Sequence, residues 1–426
     1  MNLPVSTSPK VLGAARSVGT VKAVIAAQFF SSLADNALLI AAIGLLMERH
    51  AAAWTIPALR MFFYGSYVLL AAFAGAVADA FPKGRVILAT NIFKLCGCGL
   101  LLANAHPLLA YGLIGLGAAA YSPAKYGILP ELLPAGQLVR ANAWMEVSTV
   151  VSILLGVALG SYLMDATAHI PQLADTPARS ATLFLAVVYL AAVGCAAAIA
   201  SGHVSRPSAL SEPRSLVFEF KQALAMLWRD PESQISLAVT SLFWAASAVL
   251  QFVVLQWAQR TLHLPLSQAA LLQAAAAIGM VVGAMCAARW VPMHRVLKVL
   301  PLGLALGLLL LLMLLVTQLW GAVLLLIAIG AAAGLFVVPM NALLQHRGQL
   351  LMHAGQSIAL QNFNESLASL VMLALYGLLV SADLPLSISI AGFGLFVSLA
   401  MLLIMARHKF LNARSGSVRA LATVQG

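Results

Sequence analysis

The chain has 426 residues, of which 62% are hydrophobic and only 9% are charged, with a mean hydropathy of +0.97. Soluble domains carry about 25% charged residues, and no soluble core hides this much apolar surface, so the composition excludes a water-soluble globular protein. The formal net charge of +11 would suit a nucleic-acid partner, but the basic residues are distributed along the chain in a pattern that indicates membrane topology instead.

Twelve apolar runs, each of roughly 20 residues, predict an all-α polytopic membrane protein with twelve transmembrane helices. With both termini in the cytoplasm, the inner side holds 18 of the 24 Lys and Arg residues and the outer loops hold 4. This is a strong positive-inside bias. The predicted spans are residues 21–47, 58–79, 86–105, 107–129, 141–164, 181–200, 235–258, 267–290, 296–316, 319–343, 355–380 and 385–406.

The longest polar interval, residues 201–234, divides the spans six and six. We therefore predict a cytoplasmic tail (1–20), a six-helix bundle (21–200), a cytoplasmic linker (201–234), a second six-helix bundle (235–406) and a cytoplasmic C-terminal tail (407–426). Apolar linker residues recur at helical spacing and predict an amphipathic helix on the inner leaflet, with a partner-binding helix as the alternative. They are Leu216, Val217, Phe220, Leu224, Leu227 and Trp228.

Short motifs repeat in corresponding spans of the two halves. Pro123-Ala-Lys125 in span 4 matches Pro339-Met-Asn341 in span 10. In the next spans, Asn142 and Glu146 match Gln361 and Glu365, an amide followed four residues later by a glutamate. Parallel six-span repeats are typical of the major facilitator architecture, in which substrates bind near the bilayer midplane between the halves.

Charged residues within the spans are the first candidates for a site. Asp35, followed by Asn36, lies near the middle of span 1, and Lys125 lies near the end of span 4. A cation at membrane depth costs at least about 2.5 kcal/mol, so Lys125 is expected to face protein, water or a ligand. A lone carboxylate such as Asp35 must be protonated, paired or hydrated there. Asp35 is interpreted as a ligand or ion contact, or as a structural partner of Lys125 or another helix. Lys94 in span 3 is a weaker candidate, because it is placed to snorkel toward the cytoplasmic face.

Spans 5 and 11 each have a polar stripe that includes a glutamate. Glu146 accompanies Ser148, Thr149 and Ser152, and Glu365 accompanies Gln361. Hydrogen bonds between helices account for the hydroxyl residues, but they account poorly for two membrane-embedded glutamates. These two carboxyl groups are therefore candidate site residues.

The loop after span 2 carries a second group of charges. Asp79 lies at the end of the span, where a carboxylate opposes the helix dipole, so we expect it to pair with a group outside its own helix. Lys83 and Arg85 follow and are expected to anchor the loop on the inner side. The sequence has no glycine-rich phosphate loop and no metal-ligand spacing, so we expect no cofactor, no metal and no catalytic residue.

Several segments together resemble the bacterial lysophospholipid transporter family of the major facilitator superfamily, between about residue 20 and residue 405. They are Lys22-Ala-Val-Ile-Ala-Ala-Gln28-Phe, Asp35-Asn36-Ala-Leu-Leu, Asp79 with Lys83-Gly84-Arg85, Ala-Ala-Tyr121-Ser-Pro-Ala-Lys125-Tyr-Gly-Ile-Leu, Thr240-Ser-Leu-Phe-Trp244, Val-Val-Pro339-Met-Asn341-Ala-Leu-Leu-Gln345 and Gln361-Asn362. The Tyr-Ser-Pro-Ala-Lys-Tyr-Gly-Ile-Leu string is highly specific.

The resemblance implies a flippase of the bacterial inner membrane. Such proteins move lyso-phosphatidylethanolamine and lyso-phosphatidylglycerol from the outer to the inner leaflet, where an acyl carrier protein-dependent acyltransferase restores the diacyl lipid. It implies a gate formed by Asp79, Lys83 and Arg85, although two extra residues separate Asp79 from Gly84. Matching positions imply that Asp35, Lys125 and Glu365 are polar cavity residues. The full set of predicted substrate-binding residues is Asp35, Asn36, Tyr121, Lys125, Glu146, Gln251, Asn341, Gln361 and Glu365. Gln251 stands where the family has a basic residue.

Three alternatives remain open at this stage. A proton-coupled efflux transporter for amphiphiles would use Asp35, Glu146 or Glu365 to carry the proton. A membrane acyltransferase or lipid hydrolase would turn lysolipid over, although no His is followed five residues later by Asp. A scaffold would dock lipid enzymes through residues 201–234 and move no lipid.

Overall fold

The computed structural model describes residues 9–51, 55–167, 176–199, 213–264, 266–382 and 384–424. This part of the chain consists of helices and short connections. The helices are α1 (Pro9–Glu48), α2 (Thr55–Ala80), α3 (Lys83–Leu102), α4 (Pro107–Leu132), α5 (Ala135–Thr167), α6 (Pro177–Ala197), α7 (Pro213–Arg229), α8 (Pro231–Arg260), α9 (Leu266–Trp290), α10 (Leu300–Leu312), α11 (Leu319–Leu351), α12 (Ala354–Ser381) and α13 (Leu386–Val424), with a 3₁₀ helix (Met293–Val299) before α10.

The predicted all-α polytopic membrane fold is confirmed. Within the described residues, eleven segments are long and apolar enough to cross a membrane, and all eleven correspond to predicted spans. The twelfth predicted span is α4, a helix of 26 residues. Its mean hydropathy is lowered by Tyr121, Ser122, Pro123 and Lys125, the same residues that make it a candidate site.

The chain divides into two compact units, and each is described separately. The first contains the described residues of 1–141, 151–216 and 353–359, and the second contains those of 142–150, 217–352 and 360–426. In the first unit, α1 packs against α6, while α3 packs against α4 and α6. In the second, α9 packs against α11 and α10 against α13. The predicted domain boundaries stay a prediction.

Two helices continue through internal prolines. The fourth span was predicted to end at residue 129, but α4 continues through Pro123 and Pro130 to Leu132. Helix α11 likewise passes through Pro339. Each proline removes one backbone donor and so frees the carbonyl one turn earlier. The polar residue two positions later, Lys125 or Asn341, is buried in both cases, with 7% and 6% exposure.

The predicted linker helix is α7, and residues 201–212 of the linker lie outside the described residues. Within the second unit, Ala223 and Leu227 of α7 pack against Leu237, Leu344 and Leu360. The Phe220 ring meets the Phe363 ring edge to face, with centroids 5.4 Å apart. Part of the apolar face that was expected to lie on the inner leaflet is therefore covered by protein.

Helices α9 and α11 approach each other closely through small residues. Gly279 and Gly283 lie four residues apart on α9, and Gly330 and Gly334 have the same spacing on α11. A Cβ atom added at Gly283 would overlap the backbone carbonyl of Ala331, and one at Gly330 would overlap that of Ala276. Glycine is required at these positions because the backbones themselves are in contact, as in small-residue packing of transmembrane helices.

We predict that Gly330→Val lowers the thermal unfolding temperature of the purified protein in detergent, since α9 and α11 must separate to admit the side chain. Overpacking of this kind costs about 1–3 kcal/mol. Gly392→Val is the matched control, because a Cβ at Gly392 has no neighbour within 4 Å. Equal unfolding temperatures for the two variants would contradict the close packing.

Candidate functional site

A buried ion pair lies at the centre of the polar cluster in the first unit. The Lys94 Nζ atom of α3 is 2.6 Å from Asp35 Oδ2 of α1 and 3.0 Å from Ser31 Oγ. Tyr189 on α6 donates its hydroxyl to the other carboxylate oxygen, Asp35 Oδ1, at 2.7 Å. Lys94 is only 1% exposed, so it does not snorkel as expected. Both oxygens of Asp35 therefore have partners on neighbouring helices.

Two lysines lie beside one tyrosine ring in the same unit. The Lys94 and Lys125 ammonium groups are 5.0 and 5.6 Å from the centre of the Tyr121 ring, and Lys125 is 4.1 Å from the centre of the Tyr126 ring. These are cation–π distances. The Tyr121 hydroxyl is buried and has no hydrogen-bond partner among the described residues. With Asp35, Lys94 and Lys125 ionised, the cluster carries one net positive charge.

Two predicted site residues donate side-chain hydrogen bonds to the backbone of their own helices. Asn36 Nδ2 donates to the Ser32 carbonyl at 2.8 Å, and Gln251 Nε2 in the second unit donates to the Ala248 carbonyl at 3.2 Å. The Gln251 carbonyl also accepts a hydrogen bond from Gln273 at 3.0 Å. These contacts are hydrogen bonds between side chains and the helix backbone. The roles of both residues in substrate binding stay predictions.

The second unit brings four of the predicted residues into an amide-rich network. Gln361 Nε2 on α12 contacts Asn341 Oδ1 at 2.8 Å and Glu365 Oε1 at 2.7 Å. The carboxyl groups of Glu146 and Glu365 are close enough to interact electrostatically. Glu146 is 3% exposed. This network differs from the first-unit cluster because it contains carboxyl and amide groups instead of lysines.

A second amide pair lies in the same unit. Asn142 of α5 and Gln345 of α11 exchange two hydrogen bonds, at 2.8 and 2.7 Å. Gln345 was not among the predicted site residues. It lies four residues after Asn341, on the same helical face, and that spacing was the signal that could have found it.

The three predicted gate residues fall into two groups. The Asp79 carboxylate accepts hydrogen bonds from the backbone amides of Gly355 and Gln356, at 2.9 and 2.8 Å, which satisfies free donors at the start of α12. Lys83 is fully buried and contacts Asp79 at 3.4 Å and Glu131 at 2.6 Å. Glu131 was not among the predicted site residues. Arg85 is exposed and belongs to neither contact.

Sequence comparisons place the chain in a known family. The Major Facilitator Superfamily profile matches residues 24–373. Two relatives, each named lysophospholipid transporter LplT, come from Yersinia pestis (strain Pestoides F) and Yersinia pseudotuberculosis serotype I (strain IP32953). Each is 43% identical over 364 residues, which cover 85% of this chain and 87% of the relative. The chain belongs to the LplT family of the Major Facilitator Superfamily.

Solved structures support the superfamily fold. An outward-conformation crystal structure of the transporter FucP matches with a TM-score of 0.70 and 12% identity, covering 92% of this chain and 99% of that one. The human organic anion transporter MFSD10 (TETRAN) matches with a TM-score of 0.69 and 16% identity, covering 90% and 99%. At these identities the likeness concerns the fold alone.

This LplT family member has a further ion pair at the start of α8, in the second unit. Asp230 caps the helix by accepting from the Ser233 backbone amide at 2.9 Å, and it also accepts from Arg347 Nε at 3.2 Å. Burial alone would raise the pKa of Asp230. The hydrogen bonds from Arg347 and Ser233 favour the ionised form and hold its pKa below the ordinary value of 3.8.

We predict that Asp79→Asn lowers the unfolding temperature of this protein. Asparagine keeps one acceptor for the amides of α12 but removes a charge beside Lys83, which is then left with Glu131. Losing such a cap costs about 0.5–2 kcal/mol. Thermal unfolding in detergent measures the effect, with Asp165→Asn as an exposed control. A loss no larger than that of the control would exclude a capping role.

A pH-dependent effect is expected at Asp230. Because its pKa is lower in the folded state, the ion pair stabilises the protein above about pH 3.9, the unfolded value. This contribution is lost as the pH falls through the lower native pKa. Asp230→Asn should therefore lower the unfolding temperature at pH 7, by an amount equivalent to about 1–3 kcal/mol, and the difference from wild type should vanish at strongly acidic pH.

The control for Asp230 is Glu232→Gln. Glu232 contacts the same Arg347 at 3.4 Å, but its side chain is 45% exposed, so solvent screens the interaction. Its loss should be the smaller of the two at pH 7. A constant difference between wild type and Asp230→Asn from pH 7 to strongly acidic pH would show that the charge of Asp230 does not contribute.

Proposed function

We propose that this protein is a lysophospholipid flippase. It moves lyso-phosphatidylethanolamine and lyso-phosphatidylglycerol from the outer to the inner leaflet by alternating access. The proposal is supported by the relatives named lysophospholipid transporter, which are 43% identical over most of both chains. The structural observation that carries it is the pair of lysines beside Tyr121, which gives the first unit a buried, positively charged cluster.

The cluster has the charges that a lysophospholipid head group needs. The substrate has one anionic phosphate and, in the ethanolamine lipid, one ammonium. Lys125 is assigned to the phosphate, because an ammonium forms strong charge-assisted hydrogen bonds with phosphate oxygens. Asp35 or Glu365 is assigned to the head-group amine. The Tyr121 hydroxyl, which is buried without a described partner, is a further donor for the phosphate.

Lys94 has a supporting role in this scheme. Its ammonium contacts Asp35 and Ser31 and so holds the carboxylate that would meet the amine. Truncating one partner of a buried pair costs about 3–5 kcal/mol, because the other charge is left unpaired. We therefore assign Lys94 to positioning Asp35 and Lys125 to binding the phosphate.

We place the protein in the bacterial inner membrane with both termini in the cytoplasm. The 18-to-4 excess of Lys and Arg on the predicted inner side supports this orientation. The product on the inner leaflet is a lysolipid, which an acyl carrier protein-dependent acyltransferase would convert back to a diacyl lipid. Transport, not catalysis, is the proposed activity, and no cofactor enters it.

We predict that Lys125→Ala abolishes lysolipid movement while the protein still folds and inserts. A hydrogen bond to a charged group contributes about 1.5–3 kcal/mol, so the loss of apparent affinity should be at least about tenfold. The measurement is leaflet-resolved movement of labelled lysolipid in proteoliposomes. Lys298→Ala is the matched control, since Lys298 is exposed. Normal transport by Lys125→Ala would refute the assignment.

The Glu146 and Glu365 carboxyl groups favour one competing function, a proton-coupled efflux transporter for amphiphiles. Two like charges that interact in a buried site tend to share a proton, which suits proton coupling. The same proteoliposomes distinguish the two functions when the proton gradient is dissipated. Proton-coupled efflux should collapse, whereas facilitated lysolipid flipping should continue at its original rate.

A further inference from the structure

An apolar groove lies on the first unit between α2, α3 and α4. Its volume is about 580 Å³, within the range of roughly 300–1,000 Å³ that is typical of small-molecule sites. Each helix contributes apolar side chains to the lining, for example Leu70 of α2, Phe93 of α3 and Leu116 of α4. Thr90 also lines it, but its hydroxyl donates to the Val86 carbonyl at 2.8 Å. The lining of the groove is therefore almost entirely apolar, which suits an apolar ligand.

One cation lies in the lining of this groove. Arg85 contributes to it together with Phe81 and is exposed. Among the described residues, no hydrogen bond or ion pair involves the Arg85 side chain. Lys83, two residues earlier, is fully buried against Asp79 and Glu131. The two basic residues in the first turn of α3 therefore have separate environments, and of these two only Arg85 is available to an external ligand.

We propose that this groove binds a resident anionic phospholipid, with one acyl chain along the apolar lining and the phosphate at the Arg85 guanidinium. Arginine forms bidentate hydrogen bonds with phosphate oxygens. No carboxylate is among the described lining residues, so the groove has no partner for an ethanolamine ammonium. This favours a lipid with net negative charge, such as phosphatidylglycerol, over phosphatidylethanolamine.

The groove is distinct from the head-group cluster of the proposed transport function. Its lining includes neither Asp35, Lys94 nor Lys125. A site that opens to the bilayer meets bulk diacyl lipid at far higher concentration than lysolipid. The occupancy of a site depends on the concentration of each lipid relative to its dissociation constant. If diacyl lipid and lysolipid bind the groove with comparable affinity, the more abundant diacyl lipid occupies it.

The test compares lipid binding by four full-length proteins in detergent. They are the wild type, Arg85→Gln, the groove-filling variant Ala89→Trp and the control Lys298→Gln, in which an exposed cation is removed elsewhere. Each protein is delipidated, checked for monodispersity and titrated with phosphatidylglycerol, phosphatidylethanolamine or lyso-phosphatidylglycerol. Native mass spectrometry measures the lipid bound to each chain.

We expect Arg85→Gln to weaken phosphatidylglycerol binding about fivefold, the fold-change for one basic residue near an anionic lipid. Binding of phosphatidylethanolamine should weaken less, because the ammonium of that lipid offsets the charge of its phosphate. Ala89→Trp should weaken binding of both lipids, and Lys298→Gln should weaken neither. Equal effects of Arg85→Gln and Lys298→Gln would overturn the assignment of Arg85. Tighter binding of lyso-phosphatidylglycerol than of phosphatidylglycerol, with the same Arg85 dependence, would overturn the resident lipid in favour of the transported one.

Discussion

The ion pair between Lys94 and Asp35 is the interaction on which the first unit depends most. Removing a lysine ammonium from water is costly, and a counter-charge at 2.6 Å with further hydrogen bonds compensates for that cost. Asp35 belongs to α1, Lys94 to α3 and Tyr189, its second partner, to α6. One carboxylate therefore fixes the rotation and depth of three helices relative to each other, and Lys94 also places the Tyr121 ring of α4.

The same constraint explains why neighbouring basic residues differ so much. Lys83 and Arg85 are two positions apart at the start of α3, so their side chains point to nearly opposite sides of the helix. Lys83 points inward and is fully buried, which requires the two carboxylates of Asp79 and Glu131. Arg85 points outward and needs no protein partner. The first turn of α3, which the sequence presents as a cluster of positive charges, thus contains one internal structural cation and one external cation.

The sequence allowed the fold to be predicted because the length and hydropathy of membrane spans are set locally by the bilayer. It also identified Asp35 and Lys125, because a charge in an apolar run is costly and therefore conspicuous. It did not identify the partners of Asp35 and Lys83. Lys94 is 59 residues from Asp35, Tyr189 is 154 residues away, and Glu131 is 48 residues from Lys83. These pairings depend on the rotation of packed helices, which hydropathy does not encode.

The two matching proline motifs place different polar side chains at corresponding points of two helices. Lys125 and Asn341 each lie two residues after a proline inside a continuous helix, and both are buried. Lys125 lies against the Tyr126 ring, whereas Asn341 accepts a hydrogen bond from Gln361. An asparagine amide both donates and accepts, so it can be satisfied within an amide and carboxyl network; an ammonium only donates. The position two residues after the proline is therefore polar in both units, but only the first unit has a cation there, and this asymmetry suits a substrate with a single phosphate.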